Sequence, residues 1–263
     1  MTVVGRVESL WRYPVKSMRG EELREVFAGF PGIYGDRAYA FRSSAGRKGF
    51  PYFTAREQAL MLRFRAAYRH AEGMTMPPNL AEAEALAPGA TPLYADPADR
   101  MVEVETPSGE VLAVDDARLI DILVEGARDG IALSLLRSER ALTDCRPVSL
   151  ISTQTVGQLS REVGVDLDKR RFRANVYADL ADSAGFGEDA WVGRRLRIGA
   201  RAAIAVTDRD PRCMMITLDP DTTEPNPEVM RRVARGHGGA AGVYAAVLVE
   251  GVIRAGDAIT LLD

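Results

Sequence analysis

The sequence has few lysines, cysteines and histidines, and each shortage narrows what the chain can do. Of its 34 basic residues only Lys16, Lys48 and Lys169 are lysines, and the rest are arginines. Net charge is −3, so the chain as a whole is no polyanion binder. No RNA- or DNA-binding motif accompanies the basic positions. Two cysteines, Cys145 and Cys213, exclude a disulfide framework and make a reducing compartment the default. These thiols and the imidazoles of His70 and His237 form no CxxC or HxxxH pair, which is poor material for structural zinc. No apolar run approaches the roughly 20 residues of a membrane-spanning helix. The cleanest one, Val243–Val249, stops at Glu250. The first residues carry no apolar core or cleavage pattern of a secretory leader. A cytoplasmic chain without a membrane span is the expectation.

What is present is an ordinary globular balance, with 46% hydrophobic and 27% charged residues. The length of 263 residues fits one to two domains at roughly 100–200 residues each. Short apolar runs at Val3–Leu10, Leu23–Phe27 and Ala38–Arg42, closed by Gly, Pro and Ser turns, predict a β-rich first third of barrel or sandwich type. The segment Gln58–Arg69 fits helix or strand equally, and Met76–Asp99, rich in proline, reads as irregular. Met101–Val104 and Val111–Val114 flank a Pro-Ser-Gly turn as a hairpin. Asp115 or Asp116 caps a helix over Ala117–Ala127, and a domain boundary falls near residue 115.

The second half repeats the mixture. Strands are expected at Val148–Ile151, Phe172–Leu180, Arg195–Ile198, Ala202–Thr207, Val243–Val249 and Ala258–Leu262. Ser152 or Thr153 caps a helix through Val163, and Pro227–Gly236 is a helix opening on Pro and closing on Gly.

Several residues could carry chemistry. Cys213 lies between Arg209, Arg212 and a run of methionines, and a neighbouring guanidinium favours the thiolate that a nucleophile or soft-metal ligand needs. The competing description is a small, inert buried cysteine. Cys145 has the same two readings in a weaker charge context. Pairing of Cys213 with a histidine would need the fold to bring His70 or His237 beside it. Gly236–Ala241 fits GxGxxA only superficially, because it follows a helix and precedes a strand. Lys16, Ser17, Arg37 and Lys169–Arg173 suit phosphate oxygens, although a solvated face accounts for Lys169–Arg171 taken alone. Arg173 and Asn175 alternate on the expected strand and so share a face, which suits a polar heterocycle bearing a phosphate.

Taken in order along the chain, several fragments resemble one family. Tyr13–Ser17, Gly35–Tyr39 and Thr54–Glu57 are similar to the N-terminal β-barrel domain of MOSC-domain proteins. Arg171–Asn175, Glu188–Trp191, Arg212-Cys213, Thr217–Thr222 and the closing Gly-Asp-Ala-Ile-Thr-Leu-Leu are similar to the MOSC domain itself, as in the mitochondrial amidoxime-reducing component and its bacterial relatives. The resemblance implies a mixed, β-rich α+β fold. In it an N-terminal MOSC β-barrel-like domain (1–115) packs on a C-terminal MOSC β-barrel domain (116–263) with peripheral helices. It further implies a molybdenum cofactor, with Cys213 as the metal ligand and catalytic residue. Lys16, Ser17, Arg37, Cys145, Arg146, Arg173, Asn175 and Arg212 would hold the pterin and its phosphate. Two departures stand out: Cys145-Arg146-Pro147 replaces the Thr-Ser that relatives commonly place before proline, and Pro211 replaces a Ser of eukaryotic relatives.

The implied activity is reduction of N-hydroxylated compounds such as amidoximes, hydroxylamines and N-hydroxylated bases. The chain has no CxxxxCxxC run for an iron–sulfur cluster, so electrons would come from a separate ferredoxin or cytochrome b5 type protein. The alternative is a carrier of molybdenum cofactor or of sulfur that uses Cys213.

Overall fold

The chain folds around a closed ring of seven strands in the computed structural model, which describes residues 2–86, 100–127, 130–181 and 184–262. Around the ring, Val176–Leu180 is followed by Val148–Ser152, Ala240–Val249, Ala202–Pro211, Arg195–Ile198, Ala258–Leu261 and Thr2–Arg12. Thr2–Arg12 then pairs back onto Val176–Leu180 and closes it. Every contact in the ring is antiparallel except that between Val148–Ser152 and Val176–Leu180. A parallel pair needs a crossover, and the helix Thr153–Val163 supplies it. Closure leaves no open sheet edge in the ring, and alternate side chains fill its interior. Val7, Leu10, Val176, Leu196, Ile198, Ile204, Val206, Val243 and Ile259 are all buried there.

The two halves of the sequence interlock. Thr2–Arg12 belongs to a ring whose other strands all lie beyond residue 147. Leu133–Arg137 pairs with Tyr39–Arg47, and Gly251–Arg254 pairs with Glu25–Gly29. The hydrophobic core is accordingly continuous, from Phe41, Phe53 and Met61 to Leu150 and Ile204. A smaller core lies under the helices Thr153–Val163 and Pro227–Gly236, built on Val156, Leu159, Phe172, Tyr177, Val229 and Val233.

Local chemistry sets the element ends. Asp116 accepts from the Arg118 amide and starts the helix Ala117–Val124. Ser152 accepts from the Thr155 amide, and Gly164, in the left-handed region at φ 84°, ends the same helix. The expected hairpin is present as Val102–Glu105 and Val111–Ala113. Gln58–Arg69 resolves into a 3₁₀ turn, Ala59–Arg63, and a strand, Arg65–Tyr68. Met76–Asp99 is not wholly irregular, since Leu80–Leu86 is helical; residues 87–99 lie outside the described set. The expected strand Phe172–Leu180 begins only at Val176. Asp168 instead caps a 3₁₀ turn over Lys169–Phe172, and Arg173 leaves it in the left-handed region.

Candidate cofactor-binding cleft

One cleft gathers most of the residues singled out from the sequence. Lys16, Ser17, Arg37, Arg146, Arg173, Asn175, Arg212 and Cys213 all line it. Its backbone is unusual. Ser17 (φ 66°), Arg37 (φ 46°) and Arg173 (φ 52°) are three of the five described non-glycine residues with positive φ. Such backbone costs about 1–3 kcal/mol per residue and collects at functional sites.

Tyr13 organises the basic wall. Its amide donates to Asp36 Oδ1 at 2.8 Å, and its carbonyl accepts from the Arg37 amide at 2.7 Å. The guanidinium carbons of Arg37 and Arg173 lie 4.7 and 4.3 Å from the Tyr13 ring centroid. Arg37 is satisfied, with Asp36 on Nη1 and the Arg173 carbonyl at 2.9 Å on Nη2. Arg173 is not: its Nη2 is buried without a hydrogen-bond partner. Burial first, and the Arg37 charge after it, push Arg173 down to about 10. A desolvated cation with an unused donor is suited to receive an anion.

Lys16 also lines the cleft and is buried. Its ammonium donates to the Leu142 carbonyl at 2.8 Å, pairs with Asp144 and lies 4.6 Å from the Tyr52 ring centroid. Burial lowers its pKa against the opposing pull of Asp144.

Asn175 lines the cleft, but its amide clasps the barrel. Oδ1 accepts from the Ser149 amide at 3.2 Å and Nδ2 donates to the Trp11 carbonyl at 3.3 Å. Arg173 and Asn175 do meet at one site, though not by strand alternation, because the left-handed turn at Arg173 places them.

Cys213 follows the strand Ala202–Pro211 and caps the 3₁₀ turn Met214–Thr217. It is half-buried and free. The guanidinium at its sulfur is neither Arg209 nor Arg212. Arg209 pairs with Asp189 at 2.8 Å. Arg212 is spent on the carbonyls of Ala241 (2.7 Å) and Phe172 (2.8 Å) and on Asp210 (2.8 Å). Gly242, at φ +79°, lets Arg212 lie there, since a Cβ would stand 3.2 Å from its Nη2 and 2.6 Å from the Leu150 carbonyl oxygen. It is Arg56 that donates to Cys213 Sγ, at 3.2 Å.

Cys145 is exposed and is not among the cleft-lining residues, although its neighbours Asp144 and Arg146 are. Arg146 reaches across an exposed part of the wall to Asp208 at 3.0 Å. Lys169, Arg170 and Arg171 are tied to Glu8, Asp168 and Asp219 respectively, a structural use of the basic run; only Arg171 also lines the cleft.

Sequence reasoning assigned no site role to Arg56, Asp144, Ser149, Asp210 or Tyr244, all of which line the cleft. Asp210 is buried, accepts from Ser149 Oγ at 2.7 Å, and is pushed up by burial despite Arg212. Its alternation partner Asp208 is exposed, because register shifts between Val206 and Asp208 and between Arg209 and Pro211 break the strand's alternation.

The donor set fits an anionic group carrying a soft metal. Among the described residues no three His, Cys, Asp or Glu side chains converge, so a metal here would rest on one thiol with its remaining ligands brought by the group itself. Arg173 supplies the unused cationic donor.

Comparison with known proteins agrees with this fold. Residues 4–117 match the family model of the MOSC N-terminal beta barrel domain, and residues 137–260 match that of the MOSC domain. The chain belongs to the MOSC-domain family, with the N-terminal and MOSC domains in tandem. No curated protein matches it at a significant level. Among solved structures, YuaD of Bacillus subtilis is 13% identical, with a TM-score of 0.47 over 97% of this chain and 94% of that one. YiiM of Geobacillus stearothermophilus is 19% identical, with a TM-score of 0.36 over 45% of this chain and 55% of that one. YiiM of Escherichia coli is 17% identical, with a TM-score of 0.34 over the same shares. No described helix is long and apolar enough to cross a membrane.

Proposed function

We propose that this chain is a molybdenum-cofactor-dependent oxidoreductase that reduces N-hydroxylated compounds, among them amidoximes, hydroxylamines and N-hydroxylated bases. One observation carries the proposal: a free Cys213 thiol opens onto the same cleft as Arg173, a buried cation with an unused donor. Bound there, the cofactor would supply a two-electron metal centre able to accept oxygen from an N–O bond.

The chain's own residues divide the remaining work. Cys213 would ligate the metal. Arg173, Arg37 and Lys16 would hold the cofactor's phosphate and pterin, with Tyr13 keeping the first two in place. Ser17 would contribute from its left-handed backbone position. Arg146, half-exposed and paired with Asp208, would contribute from an exposed part of the wall. Asp210 holds a buried carboxyl on the cleft wall, hydrogen-bonded by Ser149 and close to Tyr244. The cleft's electrons would come from a separate ferredoxin or cytochrome b5 type protein in the cytoplasm.

The test is turnover of an aromatic amidoxime with a reduced viologen dye, using protein made in a host that synthesises the cofactor. Wild type should turn over, and Cys213→Ala should not. Bound cofactor or sulfane sulfur without turnover would refute the reductase and favour the carrier function of Cys213.

A further inference from the structure

The motif Thr54-Ala55-Arg56-Glu57 brings two residues, Thr54 and Arg56, to the cleft wall. It forms a closed turn. The Thr54 amide and hydroxyl both donate to the Glu57 carboxylate, at 2.9 and 2.7 Å. The amides of Glu57 and Gln58 return to the Thr54 carbonyl at 2.9 and 3.1 Å. The Arg56 amide donates to Thr54 Oγ1 at 3.3 Å. Thr54 and Ala55 are buried, so the turn is anchored and Arg56 projects from it.

The Arg56 guanidinium is then held on three sides. It lies 4.9 Å from the Phe50 ring centroid, and its Nη2 is 3.2 Å from Asp144 Oδ2 and 3.2 Å from Cys213 Sγ. Asp144 is fixed in turn by Lys16. A rigid turn more than 150 residues away in sequence thus delivers a charged donor to the sulfur on which the proposed function depends.

We propose that Arg56 is a positioning residue for Cys213: it orients the sulfur toward the cleft and withdraws electron density from it, with Asp144 holding the guanidinium. This rests on Cys213 being the metal ligand. Hydrogen bonds to a ligating sulfur are a recognised means by which a protein orients the ligand and raises the potential of its metal. Arginine suits the task because one terminal nitrogen of its planar guanidinium serves the carboxylate and the sulfur together while the guanidinium lies over Phe50.

The experiment uses Arg56→Met, which keeps the stem over Phe50, and Arg56→Lys, which keeps the charge. In the cofactor-free chain carrying Cys145→Ser, iodoacetamide at neutral pH reads Cys213 alone. Arg56→Met should alkylate about tenfold more slowly than its parent, and Arg56→Lys should recover most of the rate. An unchanged or faster rate in Arg56→Met overturns the proposal. In the metal-loaded protein, Arg56→Met should retain its molybdenum while its midpoint potential falls and its EPR signal changes, with partial recovery in Arg56→Lys. Retained metal with wild-type potential and signal also overturns it. If wild type takes up no metal, the proposed function fails, and the alkylation rates alone decide whether Arg56 governs the sulfur.

Discussion

Replacing Arg173 by methionine should stabilise the cofactor-free protein, the opposite of the usual outcome at a buried position. The magnitude follows from the cleft. Burial and the Arg37 charge bring Arg173 down from the ordinary arginine value to about 10, a drop of between two and three pKa units. At about 1.36 kcal/mol per pKa unit, keeping it charged costs about 3 kcal/mol. The sign is that of a cation with a lowered folded-state pKa: the cost is fully present at neutral pH and fades as pH rises through about 10. Methionine keeps an apolar stem near Tyr13 but gives up the cation–π contact, worth about 2 kcal/mol when desolvated. No side-chain hydrogen bond of Arg173 offsets this, and its Nη2 has none. The net expectation is a gain of about 1 kcal/mol, read by urea unfolding at neutral pH. Inorganic phosphate should reverse the ranking. A bound ligand stabilises by RT ln(1 + [L]/Kd), about 2.7 kcal/mol at a hundredfold excess over Kd. Wild type should gain this and Arg173→Met should not. A methionine variant that is less stable than wild type without phosphate, yet responds equally to it, would refute the assignment of Arg173 to an anion.

Three further outcomes follow from the same contacts. Glu188, fully buried, accepts from the Ser152 amide at 3.0 Å, Ser152 Oγ at 2.7 Å and Thr155 Oγ1 at 2.9 Å. Glu188→Ala strands these donors and should cost about 3–5 kcal/mol in denaturant unfolding, with Glu188→Gln milder. Asn175→Ala should cost about 2 kcal/mol by the same assay even without cofactor, because it unpairs the Ser149 amide and the Trp11 carbonyl. Partial desolvation raises the pKa of Asp144, whose side chain is 39% exposed, but Lys16 and Arg56 outweigh it and hold the carboxyl below the usual carboxylate range. A lowered carboxylate stabilises above its unfolded value and loses that contribution as pH falls through its folded one. The difference in Tm between wild type and Asp144→Asn should therefore be constant above about pH 5 and shrink below about pH 4; a difference independent of pH would show that the ion pairs do not matter.

How much of this was legible in the sequence depended on range. Features decided within a few residues read well: the cap at Asp116, the cap at Ser152 and the Pro-to-Gly helix Pro227–Gly236. The wholly local turn at Lys169–Arg173 was the exception, since Phe172, Ala174 and Val176 imitate a strand's alternation while Asp168 caps a turn instead. Long-range pairings were invisible. Nothing local in Thr2–Arg12 says that it closes a ring of strands from the other end of the chain.

The site divided along the same line. Lys16, Arg37, Arg173 and Cys213 were named from motif and charge, and the cleft gathers them. The partner of the sulfur was sought among its sequence neighbours, whereas Arg209 and Arg212 are spent on Asp189 and Asp210, and Arg56 arrives from afar. Its motif was visible in Thr54–Glu57, but only the fold could say what it touches. Cys145, chosen because it stands where relatives commonly carry the Thr of Thr-Ser-Pro, faces solvent beside the cleft, since the side chains on either side of it are the ones turned toward the wall.

The most direct measurement is the molybdenum and pterin content of the purified protein from a cofactor-competent host, beside that of Cys213→Ala. Cys213 is half-exposed and, among the described residues, its sulfur makes one side-chain hydrogen bond, to Arg56, so the variant should keep the wild-type far-UV spectrum and lose no more than about 1 kcal/mol of stability. We predict about one molybdenum and one pterin per wild-type chain, and loss of the metal in a folded Cys213→Ala. Wild type without metal and pterin, or a variant that retains the metal fully, would contradict the assignment of Cys213 as its ligand.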